Sequence, residues 1–98
     1  FTAGEYDAVA AREIGFVNEV VAADELGAAT DALVAKIVAG PPLALSMSKR
    51  LLENAAHQTL AQAVEAETLA QNVNFTTNDV AEAAAAFVER RSTEFTGQ

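Results

Sequence analysis

Three residues near the end of the sequence have types and spacing that suit a ligand carrying both an aromatic base and phosphates. Phe87, Arg90 and Arg91 fall at positions i, i+3 and i+4, so on a helix one aromatic ring and two guanidinium groups share a side. Arginine binds phosphate through two parallel hydrogen bonds, and a ring can pack on a base. The structural alternative is that Phe87 belongs to the core and the arginines balance the dipole at the helix C-terminus.

Two further sets of residues could act as catalysts, and each has a simpler interpretation. Ser46 and Lys49 have the Ser-x-x-Lys spacing of acyl-transfer enzymes in which the lysine activates the serine. The other motifs of those enzymes are absent, and a serine near a helix start more often bonds to local backbone. His57 can serve as a general base. No Asp lies within a turn to orient it, so we expect a structural or solvent-exposed histidine.

The acidic residues show no pattern typical of catalysis or of metal binding. Glu65 and Glu67 are two positions apart, so on a helix they point about 200° from each other and cannot cooperate. Asp79 and Glu82 fall in the first turn of a predicted helix, where the dipole favours negative charge. We expect both pairs to lie on solvated faces. The sequence contains no metal-ligand cluster and no glycine-rich phosphate loop.

The composition disfavours several classes of function. The 98 residues carry a formal net charge of −8, which argues against nucleic acid and anionic membranes because both are bound through Lys and Arg. The absence of cysteine rules out disulfides, a thiolate nucleophile and cysteine metal sites. No apolar run approaches the roughly 20 residues that span a bilayer. The sequence opens with neither an initiator Met nor a basic targeting segment. We expect a cytoplasmic protein, cut or processed from something longer.

The high apolar content predicts a thin core. Hydrophobic residues make up 51% of the chain, but 23 of them are alanine, which removes little apolar surface from water. A chain of this length buries roughly 65% of its unfolded surface. Part of the stabilisation should therefore come from another surface, either the rest of a larger protein or an oligomer partner.

The spacing of apolar residues and of helix caps predicts an all-α fold, a bundle of about five helices with one short N-terminal strand. The β-branched and aromatic run from Phe16 to Val21 predicts the strand, which has no partner in the sequence. The helices follow from their caps and breakers: Asp7 before and Gly15 after the first, Asp24 and Gly40 around the second, Pro41 and Pro42 opening the third, Thr59 capping the fourth, and Thr77 or Asn78 opening the fifth. Residues 92–98 are polar apart from Phe95 and predict a tail.

Three separated stretches match the sequence pattern of one known family, in order and at consistent spacing. They are Gly4-Glu5-Tyr6-Asp7-Ala8 with Ala11 to Val21; Gly40-Pro41-Pro42-Leu43-Ala44-Leu45 with Ser48-Lys49-Arg50-Leu51-Leu52; and Phe75 to Asp79 with Ala86-Phe87-Val88-Glu89-Arg90-Arg91 and Phe95-Thr96-Gly97. Together they resemble the enoyl-CoA hydratase/isomerase (crotonase) family, and the likeness extends over the whole chain. Three matches at consistent spacing are far more specific than any one of them.

The resemblance implies a place for each part of the chain. In that family a spiral of ββα turns comes first and carries the oxyanion-hole amides and the catalytic carboxylates, and helices similar to these follow it. Residues 1–22 would be the end of the spiral core, which supplies the missing strand partner. Residues 23–98 would be the C-terminal helical domain that builds the trimer and a lid. The catalytic motifs are not in this sequence, so the resemblance implies no catalytic residue here and an inactive chain on its own.

The resemblance also implies the ligand and the partners. The family often uses the aromatic and basic residues of its closing segment to touch CoA bound in a neighbouring subunit, and those positions are Phe87 and Arg90, with Arg91 adjacent. The implied partners are an acyl-CoA or enoyl-CoA thioester, a homo-oligomer (a trimer or a dimer of trimers) and the missing spiral domain. The implied setting is fatty acid β-oxidation, with no separate cofactor and no metal.

Departures from the family pattern and one rival function remain open. Arg90 replaces the usual Lys, which changes the hydrogen-bond geometry. Ser92 and Thr93 replace a common basic-Pro pair, which would weaken the anion site or move the tail. The rival function is a non-catalytic helical module for protein association, whose thin core is completed by a partner.

Overall fold

Five helices make up the regular structure of this protein, which a computed structural model describes over residues 2–98. They are α1 (Ala8–Glu13), α2 (Leu26–Val38), α3 (Pro42–Ala55), α4 (Leu60–Asn74) and α5 (Asn78–Glu89). The predicted all-α class is confirmed. The chain forms two compact units, the first ending at Val34 and the second running from Ala35 to Gln98. The predicted domain division between residues 22 and 23 stays a prediction. The first residue of the predicted N-terminal domain, Phe1, lies outside the described residues.

Local hydrogen bonds fix both ends of α1. The Asp7 carboxylate accepts from the backbone N–H of Ala10 at 2.8 Å, as a helix cap should. After the helix, Gly15 adopts φ 76°, its N–H donates to the Arg12 carbonyl, and the N–H of Phe16 donates to the Ala11 carbonyl. This pair of bonds is the Schellman motif, which favours glycine at the left-handed position. The predicted ends of α1 are confirmed.

The predicted strand at Phe16–Val21 is wrong. Residues 16–18 form a bend, and residues 19–22 have no regular structure. The Phe16 side chain is 83% exposed. A strand needs a second strand to satisfy its backbone groups, and among residues 2–98 the structure contains none. β-propensity alone therefore does not produce a strand here. The predicted cap of α2, Asp24, does not directly precede the helix: α2 starts at Leu26, and the carbonyl of Glu25 accepts from the N–H of Ala29 at 3.0 Å.

In the second unit α3 and α4 pack against each other, and their starts follow the sequence prediction. Pro41 precedes α3, and Pro42 is its first residue, where a missing N–H costs nothing. A capping box begins α4: the N–H of Thr59 donates to Gln62 Oε1 at 2.9 Å, and the N–H of Gln62 donates to Thr59 Oγ1 at 3.3 Å.

The polar residues after α5, predicted as a tail, have no regular structure but are bonded back to the helix. Residues 91–98, here named the return segment, run back along α5, and the N–H of Asn78 at the start of the helix donates to the carbonyl of Gln98. Gly97 adopts φ 75°. A Cβ at that position would lie 2.9 Å from Cγ of Pro42, so the return segment also lies against the first residue of α3.

Replacing Gly97 by alanine should lower the free energy of unfolding by about 2 kcal/mol. An alanine at positive φ costs about 1–2 kcal/mol, and its methyl group would overlap the Pro42 ring. Chemical denaturation followed by circular dichroism measures the effect. Gly27→Ala is the control, because a Cβ there meets no atom within 4 Å and the residue lies in α2. Equal denaturation midpoints for the two variants would contradict the described position of the return segment.

Few side chains of the second unit are buried, as the composition predicts. Among residues 35–98, Ala86 is 1% exposed and Asp79 is 4% exposed, and no other residue is classed as buried. Six large apolar side chains there remain at least 71% exposed: Val38, Leu52, Leu60, Phe75, Phe87 and Val88. The predicted thin core is confirmed. No single helix in the described part of the chain is long and apolar enough to cross a membrane, and α2 with α3 reaches that length and hydropathy only when the two are counted together across their bend.

Candidate functional site

The chain reverses direction at Arg90, directly after α5. Arg90 has left-handed backbone angles, φ 55° and ψ 40°, and its N–H donates to the carbonyl of the buried Ala86. The N–H of Arg91 donates to the same carbonyl at 3.1 Å. A left-handed conformation costs a residue with a side chain about 1–2 kcal/mol, and glycine is the usual choice at such a helix end. An arginine therefore occupies a position where glycine would be more stable.

Arg91 is fully engaged by two carboxylates. Its Nη1 and Nη2 donate to the two carboxylate oxygens of Glu82 at 2.5 and 2.8 Å, and its Nε donates to Glu89 Oε2 at 2.6 Å. The prediction that Arg91 shares a helical face with Phe87 is wrong, because α5 ends at Glu89 and the chain turns back before Arg91. Residues at i and i+4 share a face only within a continuous helix, and α5 ends before Arg91.

These ion pairs shift the titration of both partners. The hydrogen bonds from Arg91, and then the bond from the N–H of Glu94, lower the pKa of Glu82 from 4.5 to about 2. The hydrogen bonds to Glu82 and then to Glu89 raise the pKa of Arg91 above its usual range. Both groups are therefore charged at neutral pH. With two carboxylates on one guanidinium, Arg91 has no positive charge left over for an anionic ligand.

Asp79 and Glu82, one turn apart on α5, hold the return segment through its backbone. Glu82 Oε1 accepts from the N–H of Glu94 at 2.9 Å, and the two Asp79 oxygens accept from the N–H groups of Thr96 and Gly97 at 2.8 and 3.0 Å. The prediction that these two acids lie on a solvated face is wrong, since Asp79 is buried and Glu82 is paired. The three-residue spacing of these acids indicates only that both lie on one side of a helix. It does not indicate their partners, which lie 9 to 18 residues further along the chain.

The lowered pKa of Glu82 predicts a loss of stability in acid. Because the folded pKa, about 2, lies below the ordinary value of 4.5, the stabilisation is fully present above pH 4.5 and is lost as the pH falls through about 2. As the pH is lowered from 4.5 to about 2, the free energy of unfolding should therefore fall more steeply for the native sequence than for Glu82→Gln. Glu53→Gln, which removes an exposed carboxylate 4.0 Å from Lys49, should follow the native curve. Parallel curves for all three proteins would contradict the ion pair.

Phe87 and Arg90 remain available on the outside of the unit. The Phe87 side chain is 86% exposed, so it is not part of the core of this chain. Within residues 2–98 the Arg90 side chain makes no ion pair or hydrogen bond; the ion pairs there are those of Lys49 and Arg91. An exposed ring can stack on a flat base, and an uncompensated guanidinium can bind a phosphate.

The other candidate catalytic residues are not brought together. Ser46 Oγ donates to the Leu43 carbonyl at 2.8 Å, whereas Lys49 Nζ lies 4.0 Å from Glu53. His57 is exposed just after α3. Glu65 and Glu67, the remaining acidic pair, are exposed on α4. Over residues 2–98, no group of three His, Asp or Glu side chains is close enough to hold a metal ion.

A groove of about 320 Å³ lies between α3 and α4. Its walls are mostly apolar, with Met47 and Leu51 on α3 facing Leu69 and Val73 on α4. Arg50 and Asn54 supply its polar groups. The lining contains no nucleophile and no acid–base pair, so the groove offers a binding surface and no catalytic group.

Comparison with known proteins accounts for the whole sequence. The family model for enoyl-CoA hydratase/isomerase matches residues 1–98. The chain belongs to the enoyl-CoA hydratase/isomerase family. This confirms the resemblance found in the sequence. The helices correspond to the helical C-terminal domain of the crotonase fold.

Individual relatives of the family agree in sequence and in structure. The short-chain-enoyl-CoA hydratase of Clostridium acetobutylicum is 34% identical over 94 residues, which are 96% of this chain and 36% of that protein. The mitochondrial enoyl-CoA hydratase domain-containing protein 2 of Mus musculus is 31% identical over 102 residues, covering 100% of this chain and 34% of that protein. A probable enoyl-CoA hydratase/isomerase from Mycobacterium abscessus has a TM-score of 0.90 at 31% identity, covering 99% of this chain and 38% of that one. The chain thus spans little more than a third of the length of these relatives.

Proposed function

We propose that this chain is the C-terminal helical part of an enzyme that hydrates or isomerises enoyl-CoA thioesters. The match of the family model to residues 1–98 and the similarity to proteins named enoyl-CoA hydratases support the proposal. In it, the remaining two thirds of the protein supply the amides that hold the thioester carbonyl oxygen as the enolate forms, and the carboxylates that transfer protons. The residues described here serve oligomerisation and closure of the CoA pocket and carry no catalytic group.

The contact with CoA is assigned to Phe87 and Arg90. CoA combines an adenine ring with phosphates, which are the two chemical groups that an exposed phenyl ring and a free guanidinium recognise. The observation that carries the assignment is a difference between two adjacent arginines: Arg91 forms ion pairs with Glu82 and Glu89, whereas Arg90 is uncompensated. The left-handed backbone of Arg90 adds support, since strained residues that persist in a fold cluster at functional sites. Arg91, the third predicted contact, is assigned no direct role in binding.

The oligomerisation role rests on the exposed apolar side chains of the second unit. Leu52 and Leu60 are 76% and 81% exposed, and the α3–α4 groove is largely apolar. In the proposal this surface is covered by the rest of the protein or by further copies in a trimer or a dimer of trimers. The same surface is what a protein-association module without catalysis would show, so ligand binding separates the two functions.

The first test is the intact mass of the protein purified from its natural source, measured by mass spectrometry. The proposal predicts a species much heavier than the 10.2 kDa of these residues, with the catalytic part in the same chain. A native product of 10.2 kDa would contradict the enzyme function and leave an association or CoA-binding module.

A second test is the affinity of the intact protein for CoA, measured by calorimetry. Phe87→Leu keeps an apolar side chain but removes the ring, and should raise the Kd about tenfold, because stacking of a base on a ring contributes about 1–3 kcal/mol. Val88→Ala is the matched control, since Val88 is the next residue and is 80% exposed. Equal Kd values for the two variants would contradict the base contact. A native protein that does not bind CoA would favour the association module.

A further inference from the structure

We infer that Glu82 and Arg91 are positioning residues for Arg90: their ion pair holds the chain reversal that presents the Arg90 guanidinium to the phosphates of the ligand. The inference rests on the proposed function, because it takes Arg90 as the phosphate contact. It adds a task for two residues that do not touch the ligand.

The first support is geometric. The left-handed angles of Arg90 are unfavourable, and such angles persist only where the surrounding contacts hold the backbone in place. The reversal is fixed on its helix side by two N–H groups that donate to the Ala86 carbonyl. On its far side it is fixed by the two parallel hydrogen bonds from Arg91 to Glu82, nine residues back along the chain. With either anchor absent, the backbone of Arg90 would relax to a helical or extended conformation and its side chain would move.

The second support is the distribution of charge. Two adjacent arginines would otherwise compete for one anion, and each would repel the other. Glu82 and Glu89 compensate Arg91 and leave Arg90 as the free cation of the pair within residues 2–98. The ion pair thus selects which arginine meets the phosphate. Glu82 also accepts from the N–H of Glu94, so one carboxylate holds the arginine and the return segment together.

The inference is tested by a double-mutant cycle on the Kd for CoA in the intact protein. Arg90→Gln should raise the Kd about tenfold or more, the loss expected for a charged hydrogen-bonded contact. Glu82→Gln should raise it about fivefold, since the contact survives but is less often in place. The double variant should bind no more weakly than Arg90→Gln alone, because Glu82 acts through Arg90. Glu53→Gln, which removes a carboxylate from an exposed pair with Lys49, should leave the Kd unchanged.

The outcomes separate the inference from the proposed function. If Arg90→Gln has no effect, the phosphate contact is wrong and the inference falls with it. Suppose that Arg90→Gln weakens binding. The positioning role is then overturned, and the phosphate contact stands, if Glu82→Gln leaves the Kd unchanged. The same follows if the fold-change in Kd of the double variant equals the product of the two single fold-changes. Arg91→Lys covers the case in which Glu82→Gln does not fold. It keeps the charge but loses the second parallel hydrogen bond, so it should weaken binding in the native background and not in Arg90→Gln.

Discussion

Replacing Arg90 by glycine should raise the stability of the protein and weaken its binding of CoA, two effects of opposite sign from one substitution. Glycine adopts φ 55° without the cost of a Cβ, which should add about 1 kcal/mol to the free energy of unfolding. Removing the guanidinium should raise the Kd for CoA about tenfold or more. Denaturant titration and calorimetry on the same preparation measure both effects.

The control for this experiment is Arg90→Ala. It removes the same guanidinium but keeps a side chain at the left-handed position, so CoA binding should weaken without a gain in stability. A glycine variant that gains stability and keeps full affinity would contradict the assignment of Arg90 as a ligand contact. One that loses both would show that Arg90 is a structural residue.

Replacing Asp79 by asparagine should cause the largest loss of stability among these substitutions. The carboxylate is 4% exposed and accepts from the N–H groups of Thr96 and Gly97. Asparagine keeps one acceptor oxygen but directs its NH₂ group at the other N–H, so one of the two part-buried hydrogen bonds to a charged group is lost, at a cost of about 2–3 kcal/mol. Chemical denaturation measures this loss of stability.

Hydrogen exchange shows whether the Asp79 substitution acts where the structure predicts. The amides of Thr96 and Gly97 should exchange rapidly in Asp79→Asn, because the return segment has lost its anchor. Asp31→Asn, an exposed acid on α2, is the control and should leave both amides protected. Slow exchange of the two amides in Asp79→Asn would contradict the backbone clamp.

The helices and their ends could be predicted from the sequence because local residues determine them. The Asp7 cap, Gly15 after α1 and the Thr59–Gln62 capping box each depend on residues within about four positions of one another. The strand could not be predicted in the same way. Its propensity is local, but its stability depends on a partner that is not among the described residues.

The candidate site was only partly predictable for the same reason. The spacing of Phe87 and Arg90 identified a ring and a cation, and both are exposed as a ligand contact requires. Arg91 is excluded as a ligand contact because it binds Glu82, nine residues earlier in the chain. The burial of Asp79 depends on amides 17 and 18 residues away. Non-glycine residues seldom adopt left-handed angles, so nothing in the sequence placed the reversal at Arg90.

The most direct test of the proposed function is the turnover of crotonyl-CoA by the intact protein purified from its natural source. We expect conversion to 3-hydroxybutyryl-CoA, or exchange with the 3-enoyl isomer, together with a higher KM and little change in kcat for Arg90→Gln. The KM change is what ties the activity to the residues described here. If the protein converts neither crotonyl-CoA nor its 3-enoyl isomer and does not bind CoA, the proposed function is wrong, and the exposed apolar surface is that of a protein-association module.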